Sequence, residues 1–107
     1  MLKMKIKINE KDLDLEVVLQ KESNNRVAIR LTQNGYPYYT ATVNLPDADL
    51  EEGYVFLKGW GKNEGLPEAL EKAGVVKLTG RLVPTGFVYA QEAKIMGKSG
   101  TSGYKGE

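Results

Sequence analysis

The sequence predicts an α+β domain in which a mostly antiparallel sheet, its first four strands forming a consecutive meander, carries one short helix packed on one face. Three observations lead there. Apolar and polar residues alternate with a period of two along the N-terminal third, Asn34-Gly35 supplies a hairpin turn, and Leu66, Ala69, Leu70 and Ala73 have the i, i+3, i+4, i+7 spacing of one helical face. A chain of 107 residues has room for one core, because domains usually run to roughly 100–150 residues. We read residues 1–96 as that domain and the Gly/Ser-rich residues 97–107 as a flexible tail.

Leu2, Met4, Ile6 and Ile8 alternate with Lys3, Lys5 and Lys7, and Leu13, Leu15, Val17 and Leu19 alternate with Asp12, Asp14 and Glu16. A turn centred on Glu10-Lys11 sets Ile6 against Leu15 and Met4 against Val17, with Lys7 against Asp14 and Lys5 against Glu16 on the other face. Opposite charges facing across an antiparallel pair stabilise it, and a one-residue slip would bury the charged row. Strand pairing thus explains the lysine row without a nucleic-acid stripe. Val27, Ile29 and Leu31 continue as a third strand, with Arg30 offered to Glu16.

At Asn34-Gly35, a two-residue loop would set Leu31 and Ile29 against Tyr38 and Thr40. A three-residue loop with Gly35 as a bulge sets Ile29 against Tyr39 and Val27 against Ala41, so the bulged turn is expected. The fourth strand then covers residues 38–45 and stops at Pro46, which cannot donate to a ladder. Residues 47–52 read as a solvated acidic loop, and Tyr54-Val55-Phe56-Leu57 as a fifth strand. Asn63 is the natural helix N-cap, with a start nearer Leu66 as the alternative that places Pro67 favourably, and Gly74 ends the helix. Residues 75–78 and 81–83 look extended, Pro84-Thr85-Gly86 reads as a turn, and a closing strand runs from Phe87 towards Ile95.

The composition excludes much chemistry. The chain has no His and no Cys, which removes catalytic triads, thiol nucleophiles, disulfides and the usual zinc sites. Lys+Arg 15 against Asp+Glu 14 leaves a net charge of +1, neither the basic surplus of a duplex binder nor the acidic surplus of a nucleic-acid mimic. The N-terminus alternates instead of building a signal-peptide core, and no apolar run approaches the ~20 residues of a membrane span. The expectation is a cytoplasmic, non-enzymatic protein with no cofactor and no metal.

Three features can carry function. Lys58-Gly59-Trp60-Gly61-Lys62-Asn63-Glu64-Gly65 is a glycine-rich loop entering a helix, where backbone N–H groups with Lys58 and Lys62 can meet an anion. It lacks the P-loop and dinucleotide spacings, and its plain reading is a turn that folds Trp60 onto the core. Thr79, Arg81 and Thr85 offer hydroxyls and a forked guanidinium to a ligand or a partner carboxylate. Their plain reading is turn chemistry, with Arg81 a surface charge near Glu64 or Glu68. Tyr36, Tyr38, Tyr39 and Tyr54 form an aromatic group of the kind enriched at interfaces, although cross-strand packing explains Tyr39 and Tyr38 without a partner.

Val43-Asn44-Leu45-Pro46, Val55-Phe56-Leu57-Lys58 leading into Asn63-Glu64-Gly65-Leu66, Ala73-Gly74-Val75-Val76, Thr79-Gly80-Arg81 and Thr85-Gly86-Phe87-Val88 occur in that order. In these elements the chain resembles an uncharacterised family of small proteins encoded on plasmids, conjugative elements and phages of Gram-positive bacteria. The resemblance covers roughly residues 6–95. It implies an accessory protein of a mobile element and transfers no activity.

The leading expectation is therefore a non-enzymatic module that binds a host or element-encoded protein, as an inhibitor or adaptor, for instance in counter-defence. Its face comprises Lys58, Trp60, Lys62, Asn63, Glu64, Thr79, Arg81 and Thr85. The alternative is a binder of a small anionic ligand such as a nucleotide, which requires the loop, the helix start and Arg81 to converge. Nucleic acid ranks below both because the charges balance and no RNP-type aromatic motif is present. Pairing of two copies through a strand edge stays open, since the first and last strands are both candidates for uncovered edges.

Overall fold

A computed structural model describes residues 2–8 and 11–96, with the backbone alone for Leu2, Ile6, Lys7, Ile8 and Lys11. The first hairpin turn and the tail over 97–107 lie outside the described residues. The elements are β1 (Leu2–Ile8), β2 (Lys11–Lys21), β3 (Val27–Gln33), β4 (Tyr36–Thr40), β5 (Tyr54–Leu57), a 3-10 turn (Gly61–Asn63), α1 (Leu66–Lys72), β6 (Val76–Thr85) and β7 (Val88–Ile95). The expected α+β class holds: β1-β2-β3-β4 form an antiparallel meander, and the remaining strands form a second antiparallel sheet in the order β5-β7-β6.

In the first hairpin Met4 lies opposite Leu15 and Lys5 opposite Asp14, two residues from the expected register. An offset of two keeps every side chain on its own face, so the alternation fits both registers equally and the loop decides between them. The expected charge pairing survives with different partners, Lys5 Nζ standing 3.9 Å from Asp14 Oδ1 in solvent. Arg30 does not serve Glu16. It reaches Glu22 at 3.7 Å and Thr40 Oγ1 at 3.0 Å, while Glu16 accepts a bond from Thr32 Oγ1.

The β3–β4 loop has two residues, Asn34 and Gly35, both left-handed at φ 53° and 84° as a primed hairpin turn requires. The bulge expected at Gly35 sits instead on β4, where Tyr38 is the extra residue between the pairs Thr32–Pro37 and Leu31–Tyr39. Without it the two-residue loop would turn Tyr38 and Thr40 inward. With it, Tyr39 and Ala41 are buried beside Leu31 and Ile29, and Ala41 N–H donates to Ile29 O at 2.8 Å.

β4 ends at Thr40, short of the expected Leu45. Residues 41–43 leave it for β5: Lys58 N–H donates to Ala41 O, Val43 N–H donates to Phe56 O, and Thr42 faces Leu57. Thr42 also turns Oγ1 back to accept the N–H of Ile29 at 3.2 Å. The two sheets are joined through this segment and share one core built from Leu15, Ile29, Leu31, Val55, Leu57, Val76 and Ala93, with Leu66 and Leu70 of α1. α1 lies against the edge strands β1 and β6.

Gly65, left-handed at φ 86°, caps α1 without a side-chain bond, and Pro67 sits in the first turn, where its missing N–H costs no helical bond. Asn63 is therefore not the N-cap. The helix stops as expected, with Gly74 N–H donating to Glu71 O and Val75 N–H to Leu70 O, the paired bonds of a Schellman motif.

β6 runs through Pro84 and Thr85, so the turn is Gly86-Phe87 and not Pro84-Thr85-Gly86. Pro84 is tolerated because β6 is an edge strand. β7, the last strand, lies between β5 and β6 and offers no full edge. The acidic loop at 47–52 is also held more firmly than a solvated loop. Arg26 donates to Leu45 O at 2.9 Å and Ala48 O at 2.7 Å, and Arg81 donates to Asp49 O at 2.9 Å.

Candidate functional site

Lys58 follows the last residue of β5, and the chain then passes through Trp60 into the tight turn at Gly61–Asn63. Asn63 is buried and donates from Nδ2 to Thr40 O at 2.9 Å. Lys62 Nζ donates to Tyr38 O at 2.6 Å. These two bonds satisfy carbonyls on the strand side of β4 that no neighbouring strand reaches, and they fix the segment against β4. An amide and an ammonium at successive positions thus take the place of a paired strand.

Between this segment and β4 lies an open cleft of about 470 Å³, lined by Pro37, Tyr38, Tyr39, Thr40, Lys58, Trp60, Gly61, Lys62 and Asn63. The Lys62 ammonium stands 5.2 Å from the centre of the Tyr38 ring and 5.0 Å from that of Tyr39, within cation–π range of both. The two rings are tilted by 48° with centres 5.0 Å apart. Burial, and then the neighbouring Tyr38 phenol, push the Tyr39 hydroxyl above its ordinary ionisation range. No carboxylate lines the cleft, and two ammonium groups do. Aromatic faces beside unopposed cations suit a partner group that is anionic and flat or apolar.

Thr79 and Arg81 belong elsewhere. Leu78 faces Ala93 and Leu82 faces Gln91, so Thr79, Gly80 and Arg81 together oppose Glu92. This bulge turns both side chains onto one carboxylate: Thr79 Oγ1 donates to Glu92 Oε1 at 2.7 Å and Arg81 Nη1 to Glu92 Oε2 at 2.7 Å. The guanidinium also covers the buried Phe56 ring, 5.5 Å from its centre. The hollow beside this clamp, about 570 Å³, is lined by Asp49, Leu50, Glu51, Tyr54, Thr79, Arg81 and Glu92 and shares no residue with the cleft.

The structure therefore brings together Lys58, Trp60, Lys62 and Asn63, and separates them from Thr79 and Arg81. Glu64 is exposed and lines neither hollow, and Thr85 sits half-buried next to the β6–β7 turn. The partner expected for Arg81 was Glu64 or Glu68; it is Glu92. The anion site expected at the helix start also changes, because Lys62 turns back to β4 and α1 is only seven residues long. Pro37, Tyr38, Tyr39 and Thr40 join the site from β4. The sequence signals for them were the tyrosine cluster and the uncharged stretch over 31–46. Glu92 had no such signal, since only the bulge reveals its role.

No family model matches the sequence, and comparison with curated proteins and with solved structures returned no match. Among the described residues no helix is long and apolar enough to cross a membrane, and no group of three or more carboxylates is placed to hold a metal ion.

Proposed function

We propose that this chain is a small non-enzymatic binding module that takes an acidic segment of a protein partner into the cleft between β4 and the loop after β5. The observation that carries the reading is the lining itself: Lys58 and Lys62 beside Trp60 and Tyr38, with no carboxylate among them. Aromatic side chains supply most of the affinity at interfaces, and the ammonium groups fix the register of an acidic chain. The open shape suits an extended segment, since small-molecule sites bury most of their ligand. The resemblance described above supports a cytoplasmic accessory role for a mobile element, in which the partner is a host or element-encoded protein that is inhibited or adapted. A small anionic ligand such as a nucleotide is the second reading, favoured by the same pairing of ammonium groups with aromatic faces.

The test is affinity capture from a Gram-positive lysate with the wild type, Trp60→Ala, Lys58→Glu and Arg81→Lys, each confirmed as folded. A stoichiometric protein that is lost with the first two variants and kept with Arg81→Lys supports the reading. Equal capture by all four contradicts it. Native mass spectrometry showing a bound nucleotide and no protein would transfer the cleft to the second reading.

A further inference from the structure

The cleft beside β4 holds two ammonium groups in different states. Lys62 Nζ donates to Tyr38 O at 2.6 Å and stands 5.2 and 5.0 Å from the centres of the Tyr38 and Tyr39 rings. Among the described residues the Lys58 ammonium makes no hydrogen bond and no ion pair, and the indole N–H of Trp60 makes no hydrogen bond. The base of the Lys58 side chain is nevertheless fixed, because its backbone N–H donates to Ala41 O at 2.9 Å. Lys58 is half-buried and Lys62 exposed, so solvent screens an ion pair at Lys58 less.

The acceptors along the same wall are already taken. Tyr38 O accepts from Lys62 Nζ, and Thr40 O accepts from Asn63 Nδ2 at 2.9 Å. A segment that joined β4 as an added strand would need these carbonyls for its own N–H groups, and it meets them occupied. The groups left unbonded at Lys58 and Trp60 are donors, and a carboxylate, which only accepts, complements them.

We propose that Lys58 is the residue that selects the acidic group of the partner segment, while Lys62 and Asn63 are positioning residues that close the edge of β4 against strand addition. This rests on the reading of the cleft as the site of an acidic protein segment. Drawing Lys62 onto a ligand would strip Tyr38 O of its donor and lift the ammonium from both rings. Lys58 meets a carboxylate without giving up a protein contact of its side chain. The segment therefore docks by side-chain contact with Trp60 and Tyr38, its carboxylate at Lys58 and its main chain outside the sheet.

The experiment is an amide-shift titration of the isotope-labelled full chain with a short capped peptide of glutamates flanking a leucine, and with its glutamine counterpart, at about 0.05 and 0.3 M salt. Lys58→Gln, Lys62→Gln and Lys62→Arg are compared with the wild type, each confirmed as folded by far-ultraviolet circular dichroism. In the wild type the glutamate peptide shifts amides 38–40 and 58–63, and salt weakens its binding. Lys58→Gln should leave the amides of the free protein at 38–40 in place, bind the glutamate peptide about three- to tenfold more weakly and lose the preference over glutamine. Lys62→Gln should move amides 38–40 before any peptide is added, Lys62→Arg should restore them, and both should keep the salt dependence. Wild-type affinity and salt dependence in Lys58→Gln would overturn the proposal and leave the cleft reading standing. So would nuclear Overhauser contacts that pair the peptide main chain with β4. A wild type with no preference for the glutamate peptide overturns the proposal together with the reading on which it rests.

Discussion

In the sequence Arg81 reads either as a recognition group or as a surface charge near Glu64 or Glu68, and in the fold it is a clamp on Glu92. Its guanidinium bonds Glu92 and the Asp49 carbonyl and lies over Phe56; its side chain is 42% exposed and that of Glu92 14%. Arg81→Ala should lower unfolding stability by about 1.5–3 kcal/mol, the usual contribution of hydrogen bonds to charged groups, measured by urea titration. Because the cleft contains none of these groups, cleft binding by the remaining folded protein should not change. Tyr39 gives a second expectation. Its raised ionisation means that the fold favours the neutral phenol, so this part of the stability is complete below the ordinary value of ~10 and is lost as pH rises through the folded value. Tyr39→Phe should flatten the alkaline decline in stability, as followed by denaturant unfolding at a series of pH values. The late ionisation of Tyr39 in the wild-type absorbance titration should vanish with it.

The elements show which features the chain pattern determines and which it leaves open. Period-two alternation placed Met4, Leu15 and Val17 on the buried face, but it tolerates an offset of two, and that is where the first hairpin departs from expectation. Asn34-Gly35 announced the second hairpin, while the extra residue at Tyr38 follows from burying Tyr39 and Ala41, a requirement set by β3 and β5 together. The helix was readable from Leu66, Leu70 and Gly74, all local signals. Lys58, Trp60, Lys62 and Asn63 stayed together because they are neighbours in sequence. Whether Arg81 joined them depended on two extra residues in β6, and glycine's neutral appearance in the sequence conceals that bulge. Gly80 has φ 92°, so Gly80→Ala should cost about 1 kcal/mol or more by straining the left-handed residue. It should also move Thr79 and Arg81 off Glu92, visible as changed amide shifts at residue 92. Thr42→Val should cost about 1–3 kcal/mol by leaving the buried Ile29 N–H without its acceptor, again read by urea unfolding.

At the scale of the whole molecule, two sheets share a core because residues 41–43 bond to both, and α1 packs against the outer strands of each. A single cooperative transition follows, with Trp60 fluorescence and far-ultraviolet circular dichroism changing together on denaturation; separate midpoints would mean that the sheets unfold independently. The same architecture sets the cleft on one side of the joining segment and the Arg81–Glu92 clamp in a different hollow. The central claim, that the cleft alone receives the partner, is tested most directly by amide hydrogen exchange of the protein with and without its captured partner. Slowed exchange at residues 38–40 and 58–63, with residues 79–81 and 92 unchanged, is the predicted result. Protection centred on residues 79–81 and 92, with the cleft unchanged, would contradict it.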